Sequence, residues 1–461
     1  MKHLLLLLLL SIIFYPFFIV NSQEYVANTS GNVIISGNFQ PNVKAKSGTI
    51  FLYEIKGNEE YMLDSVKVQG GSFSFQNRVY ETGVYQITFN NSTNSLDFIV
   101  NSSESQEINI QIANYRIKKG YNISNSIENK IKKLYDAKEE KINGEIKLIK
   151  KTNKSREEKI SEMRRLQNDL FSYGIQLNNQ FPGTYFGMII SKMQSKKPHV
   201  SHLYFDDIDF TDKCIVRSKL LPNRIQTYFQ THSNWPNSQY GFHDAIDMVM
   251  DYAKVNEEVA EFCMYNMLDG FYNTGQTDKK NNPIWGNLCD YIMDEYIFGE
   301  GCGDDIDPSD LLKERASHFR NLKLGNVPPN FNVSDINGKT IDLQKICANN
   351  KFTVLMFWAS HCQHCMAELP GFANWYSQNN NSNFEIIGIS LDANKKNWQN
   401  AINNNNFDWI NICEYKVYKS PICLDYKIKK TPTIFILNKQ MEIVAKPRST
   451  NQVRSFLSSN K

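Results

Sequence analysis

The feature that most constrains this chain is a short apolar run, Phe352–Trp358, that leads into Cys362-Gln363-His364-Cys365 and then a helix-like stretch. The run reads as a buried strand, and the amphipathic helix after it begins at the cysteine pair. Cys362 then stands at a helix N-terminus, where unpaired backbone N–H groups and the positive end of the helix dipole favour a thiolate. Only a thiolate attacks a disulfide, so Cys362 is the candidate nucleophile and Cys365, one turn on, the candidate resolving thiol. The bland alternative is half of a zinc site. That needs a second C-x-x-C or a well-spaced histidine pair, and neither follows. His361 and His364 flank the pair, which leaves copper or zinc binding by a Cys/His cluster as a rival use.

From Leu324 onward strand and helix patterns alternate. After the first strand and its helix come a strand over 384–391, a helix near Asn397 and a strand over 409–413. A hairpin of 433–437 with 442–445 and a terminal helix from Asn451 close the chain. Strand, helix, strand, helix, then hairpin and helix is the order of a thioredoxin fold. Lys430-Thr431-Pro432-Thr433 directly precedes the apolar Ile434-Phe435-Ile436. A proline there predicts a cis Thr431–Pro432 bond, in a loop that lies beside the reactive pair in this fold. The plainer alternative is a trans proline opening a strand.

The remainder of the 461-residue chain reads differently, and the length calls for two to four domains. Lys2 and His3 precede an apolar run over 4–20, after which Asn21, Ser22 and Gln23 turn polar. This layout predicts a signal peptide over 1–22, with an uncleaved membrane anchor as the rival. Over 28–115 apolar residues alternate with period two, and Gly70-Gly71 and Asn90-Asn91 sit where turns belong. That predicts an N-terminal antiparallel β-sandwich or barrel. Over 120–322 Ile127, Ile131, Leu134, Ile142, Ile146 and Ile149 recur near helical spacing, and stretches over 245–268 and 283–297 also read as helices. The expected fold class is therefore multidomain: β-sandwich or barrel, α-helical middle segment, and a C-terminal α/β thioredoxin fold over 324–461. The 51 basic and 48 acidic residues give no basic excess that argues for nucleic acid. Of nine cysteines, the seven outside the pair (Cys214, Cys263, Cys289, Cys302, Cys347, Cys413, Cys423) are scattered and do not form a dense disulfide scaffold. Cys413 and Cys423 are either a second disulfide or two buried thiols, and the sequence leaves both open.

The C-terminal third resembles the TlpA/ResA-like branch of the thioredoxin superfamily. Leu324-Gly325-Asn326-Val327-Pro328-Pro329-Asn330-Phe331, followed by Asp335-Ile336-Asn337-Gly338-Lys339, is similar to that branch's opening. Phe357-Trp358-Ala359-Ser360 matches its strand end, Pro370 its helix proline and Pro432 its cis-proline. The resemblance implies an exported thiol–disulfide oxidoreductase of the periplasm or cell envelope. It would exchange disulfides with cysteine-containing client proteins and draw on an envelope electron donor, for instance during cytochrome c maturation. No cofactor or metal is expected, and a membrane contact only if the signal segment is retained. The resemblance gives supporting places to Trp358, Thr431 and Pro432, and sets Glu368 where ResA-like proteins carry an active-site glutamate. Three departures bear on the direction of electron flow. His361 stands where Trp is usual. His364 stands where Pro is usual, as in DsbA-like oxidants. Met356 takes the place of thioredoxin's buried acid, for which Glu368 is the candidate substitute. Reduction is slightly favoured over oxidation. Leu63-Asp64-Ser65 and Gly71-Ser72-Phe73-Ser74-Phe75 resemble the core of a β-rich domain of unknown function found ahead of such domains in bacterial envelope proteins. The rival to an enzyme is a binding or scaffold protein that uses the thioredoxin domain for docking, although docking alone does not need both thiols.

Overall fold

The computed structural model describes residues 30–460 except 42, 44–46, 77, 91–94, 115–116, 118–119, 195–201, 233–238, 274–285, 300–305 and 380–383. The expected signal peptide and Cys302 lie outside the described residues. Two compact units divide the chain, Met1–Arg224 and Ile225–Lys461, and helices fall on both sides of that division.

The first unit opens with β1 (Ser30–Phe39), β2 (Thr49–Lys56), β3 (Glu59–Lys67), β4 (Ser72–Ser74), β5 (Arg78–Glu81), β6 (Gly83–Phe89), β7 (Ser95–Val100), β8 (Glu107–Ile112) and β9 (Tyr121–Asn122). They form one sheet in the order β3-β2-β6-β7 and a second in the order β4-β1-β8-β9, with β5 also paired to β1. Val33, Ile35, Ile50, Leu52, Ile87, Phe98 and Ile110 from both sheets share one core, which makes the region a sandwich. One pairing departs from the antiparallel expectation: β1 runs parallel to β8. A parallel pair needs a long crossover, and strands β2, β3, β6 and β7 of the other sheet lie in the connection.

Helix α1 (Ile127–Lys151) starts against that sandwich. The Asn129 side chain accepts from the Ile99 N–H and donates to the Ile99 carbonyl, both at 2.8 Å, so it continues the edge of β7 as a strand would. Glu128 is buried and accepts from Asn101 Nδ2 at 2.9 Å. It also accepts from the Tyr185 and Phe186 N–H groups at 2.7 and 2.8 Å. A capping box of Ser155 and Glu158 starts α2 (Arg156–Gln180), and α3 (Tyr185–Ser191) follows. Helix α4 (Leu220–His232) spans the division between the units.

The second unit continues with α5 (Gln239–Ala253), α6 (Glu257–Asn273), α7 (Gly286–Tyr291) running into a π-helical turn Ile292–Ile297, and α8 (Asp310–Asn321). The stretch over 245–268 that reads as one helix is thus two. Then come β10 (Asn332–Ser334), β11 (Thr340–Asp342), α9 (Leu343–Asn349), β12 (Phe352–Trp358), α10 (Gln363–Asn379), β13 (Phe384–Ser390), α11 (Lys395–Asn405) and β14 (Ile410–Cys413). The chain finishes with α12 (Pro421–Asp425), β15 (Thr433–Asn438), β16 (Ile443–Ala445) and α13 (Thr450–Ser459). The main sheet has the order β14-β13-β12-β15-β16, with β12, β13 and β14 parallel.

Central strand β12 is covered on both faces. Leu355 and Phe357 enter one core, while Val354, Met356 and Trp358 enter the other together with Cys365. Burial on both faces explains why its sequence is apolar throughout rather than alternating. A Cβ on Gly388 of β13 would lie 2.5 Å from Trp409 Nε1 and 3.3 Å from Trp358 Nε1, so only glycine lets both indoles close over that strand. Trp358 pairs with Ser390, and Ser390 with Cys413, so the three parallel strands end level with one another. The cysteine pair follows directly from that edge, where the carboxyl ends of parallel strands leave a crevice.

Candidate active site

Cys362 is the last residue before α10. Its N–H donates to the Ala359 carbonyl at 3.1 Å, and its carbonyl accepts the first helical bond, from the Met366 N–H at 3.0 Å. Its Sγ accepts from the Cys365 N–H at 3.2 Å. The sulfur thus fills the place that a Ser or Asp oxygen takes at a helix N-cap, accepting from the third residue of the helix. Once reduced, a thiolate there gains a backbone donor and the helix dipole together. The structure holds the two cysteines as a disulfide with their Cα atoms 5.3 Å apart. Cys362 is half-buried and Cys365 fully buried, so the first sulfur is the more accessible of the two.

Thr431–Pro432 is cis, as the sequence predicts, and the Thr431 carbonyl oxygen lies 3.4 Å from Cys362 Sγ. Trp358 is fully buried and meets Phe407 edge-on at 5.2 Å. Met356 shares that core with Cys365, so no carboxylate reaches the pair from this position of β12. Glu368 is half-buried, and its Oε2 accepts from the Thr450 N–H at 3.0 Å and Oγ1 at 3.1 Å. That carboxylate holds the start of α13. His364 is exposed, and the hydrogen bond to Cys362 Sγ comes from the Cys365 backbone. Among the described residues no three or more His, Cys, Asp or Glu side chains gather as a ligand set for a metal.

Residues 349–443 match the family described as Thioredoxin-like, and residues 33–131 match DUF4369, a domain of unknown function. The C-terminal stretch is a thioredoxin-like domain, similar in sequence to proteins named thiol–disulfide oxidoreductases. The chain is 28% identical over 133 residues to the thiol–disulfide oxidoreductase ResA of Bacillus subtilis (strain 168), covering 26% of this chain and 64% of that protein. It therefore spans just under two thirds of that relative. It is 28% identical over 117 residues to sporulation thiol–disulfide oxidoreductase A of the same organism, covering 25% of this chain and 69% of that protein. Among solved structures, the thioredoxin domain of a thiol–disulfide oxidoreductase from Bacteroides vulgatus is 26% identical, covering 30% of this chain and 99% of its own, with a TM-score of 0.27.

The thioredoxin-like domain also holds a carboxylate that sequence reasoning missed. Asp392 follows β13 and is buried. It accepts from the Ser360 N–H at 2.9 Å, the Ser360 hydroxyl at 2.5 Å and the Ser390 hydroxyl at 2.7 Å. Its Oδ1 lies 3.6 Å from Nδ1 of the exposed His361. Asp392 thus fixes the turn that delivers Cys362 and sets a negative charge beside the neighbouring imidazole. The available signal was its place just past the end of a strand one over from the pair.

Six cysteines outside the pair are described, and all carry free thiols; Cys413 and Cys423 do not pair. Burial pushes the Cys413 thiol up to about 11 and those of Cys214, Cys289 and Cys423 up to about 12. It raises Cys263 and Cys347 as well. Thiols so placed stay protonated at neutral pH and do not attack disulfides. Among the described cysteines this leaves Cys362, half-buried at the start of α10, as the candidate for exchange.

Proposed function

We propose that this chain is an exported thiol–disulfide oxidoreductase that exchanges disulfides with protein cysteines in the cell envelope, acting more as a reductant than an oxidant. The observation that carries this reading is the half-buried Cys362 sulfur at the start of α10, with the Cys365 N–H at 3.2 Å and the Thr431 carbonyl at 3.4 Å. In the reducing direction the Cys362 thiolate attacks a client disulfide, and the departing client sulfur takes up a proton. Cys365 then loses its proton and attacks the Cys362 sulfur, which releases the second client thiol. Two electrons pass from the dithiol to the client, and an envelope thiol–disulfide donor restores the pair. Similarity to proteins named thiol–disulfide oxidoreductases supports the reaction class. The basic start and apolar run over 4–20 support export.

The test is equilibration of the full chain with graded mixtures of reduced and oxidised glutathione, followed by alkylation and mass analysis. Cys362 and Cys365 are expected to change state together in one two-electron step while the buried thiols do not. His364→Pro extends the test to direction. An imidazole beside the pair favours the Cys362 thiolate and so the reduced form. Its removal is expected to raise the Cys362 pKa and make the pair more reducing by about 30 mV for each tenfold change in the equilibrium constant. Equal pKa and equal potential in the two proteins would show that His364 does not tune the pair.

A further inference from the structure

We infer that the segment between β14 and the cis-proline loop is a client-docking surface selective for disulfides flanked by acidic residues, an inference that rests on the oxidoreductase reading above. Among the described residues of the thioredoxin-like domain, four large apolar side chains are exposed, and three of them, Tyr415, Tyr418 and Leu424, fall in this one segment. Scattered exposed apolar residues are ordinary, but three within one short stretch of chain that leads into the loop beside a reactive group mark a contact surface. The Tyr418 hydroxyl lies near the Thr431 side chain. Thr431 is also the residue whose carbonyl lies 3.4 Å from Cys362 Sγ. The tyrosine therefore neighbours the loop that borders the reactive sulfur. Tyrosine suits this work because it offers broad contact area at low entropy cost.

Charge names the partner. Residues 414–430 hold five lysines against two acids, an excess equal to the +3 of the whole chain. Lys427 packs over the Tyr265 and Phe319 rings, and Lys429 lies 3.8 Å from Asp269. Lys416, Lys419 and Lys430 are exposed. The two acids have other partners. Glu414 is half-buried and accepts from the Ser420 hydroxyl and the Ile422 N–H, and Asp425 is half-buried beside His318 and Lys427. A client strand laid along Thr431 thus meets tyrosine rings and ammonium groups, and acidic residues near its cysteines complement both.

The experiment is single-turnover oxidation of the reduced full chain by two synthetic peptides, each closed by one disulfide. In one the cysteines are flanked by Asp and Phe, in the other by Lys and Phe. The protein dithiol supplies the two electrons, so no other reductant enters. The acidic peptide is expected to react on the order of tenfold faster at low salt, and the gap to close in 0.5 M NaCl as screening sets in. Lys416→Glu with Lys430→Glu, both exposed, is expected to reverse the order of the two peptides. Equal rates for both peptides at low salt would overturn the docking surface while leaving the oxidoreductase reading intact. No reaction with either peptide would overturn the oxidoreductase reading, and this inference with it.

Discussion

Cys365→Ser is expected to accumulate a mixed disulfide between Cys362 and a client protein, and Cys362→Ser is not. The asymmetry follows from burial: Cys365 is fully buried and Cys362 half-exposed at the helix start. Without a thiol at 365 the second attack cannot occur, so the adduct persists and turnover falls on the order of a thousandfold or more, as when one member of a catalytic unit is lost. Non-reducing electrophoresis of each variant with an oxidised client, followed by mapping of the adduct, reads the outcome. Equal trapping through Cys365 would reverse the assignment of the two thiols.

The second large effect is on stability. Trp358 is among the largest fully buried side chains, set in the core that also holds Met356 and Cys365. Trp358→Ala leaves a cavity at the end of the central strand and is expected to cost about 3–5 kcal/mol. Trp358→Phe keeps most of the ring contact with Phe407. The indole N–H has no hydrogen-bond partner among the described residues, so its loss removes no bond. That variant is expected to cost less than about 1.5 kcal/mol. Denaturant unfolding of the three proteins checks the ranking through the transition midpoint. Equal losses for Ala and Phe would mean that packing at this position does not hold the strand end.

What could be read from the sequence depended on whether the signal was local. Strand β12 is covered on both faces, so its seven residues are apolar without interruption and lead visibly into the cysteine pair. The cis-proline loop was legible because proline is itself the signal. Asp392 was not, because a lone aspartate after a strand looks like any turn residue. Its contact with Ser360 depends on β12 and β13 pairing in register, which a linear reading does not contain. The parallel match of β1 with β8 is non-local in the same way. Strand β3 lies at a sheet edge, and Glu59, Glu60, Asp64 and Lys67 break the alternation that revealed its neighbours. The break between α5 and α6 carries no Gly or Pro. Its signal was Asn256, whose side chain accepts from the Val259 N–H at 3.2 Å and caps α6. The contact of Glu368 with Thr450 is also non-local, because it exists only where α13 folds back onto α10.

The most direct measurement is reduction of insulin by the full chain after dialysis against a chelator, with dithiothreitol as electron source and Cys362→Ser as control. The metal-free wild-type chain is expected to speed insulin precipitation well above the rate of dithiothreitol alone, and the variant to fall to that background. A metal-free chain no faster than dithiothreitol, or a Cys362→Ser variant as fast as wild type, would contradict thiol–disulfide exchange at Cys362 as the work of this domain.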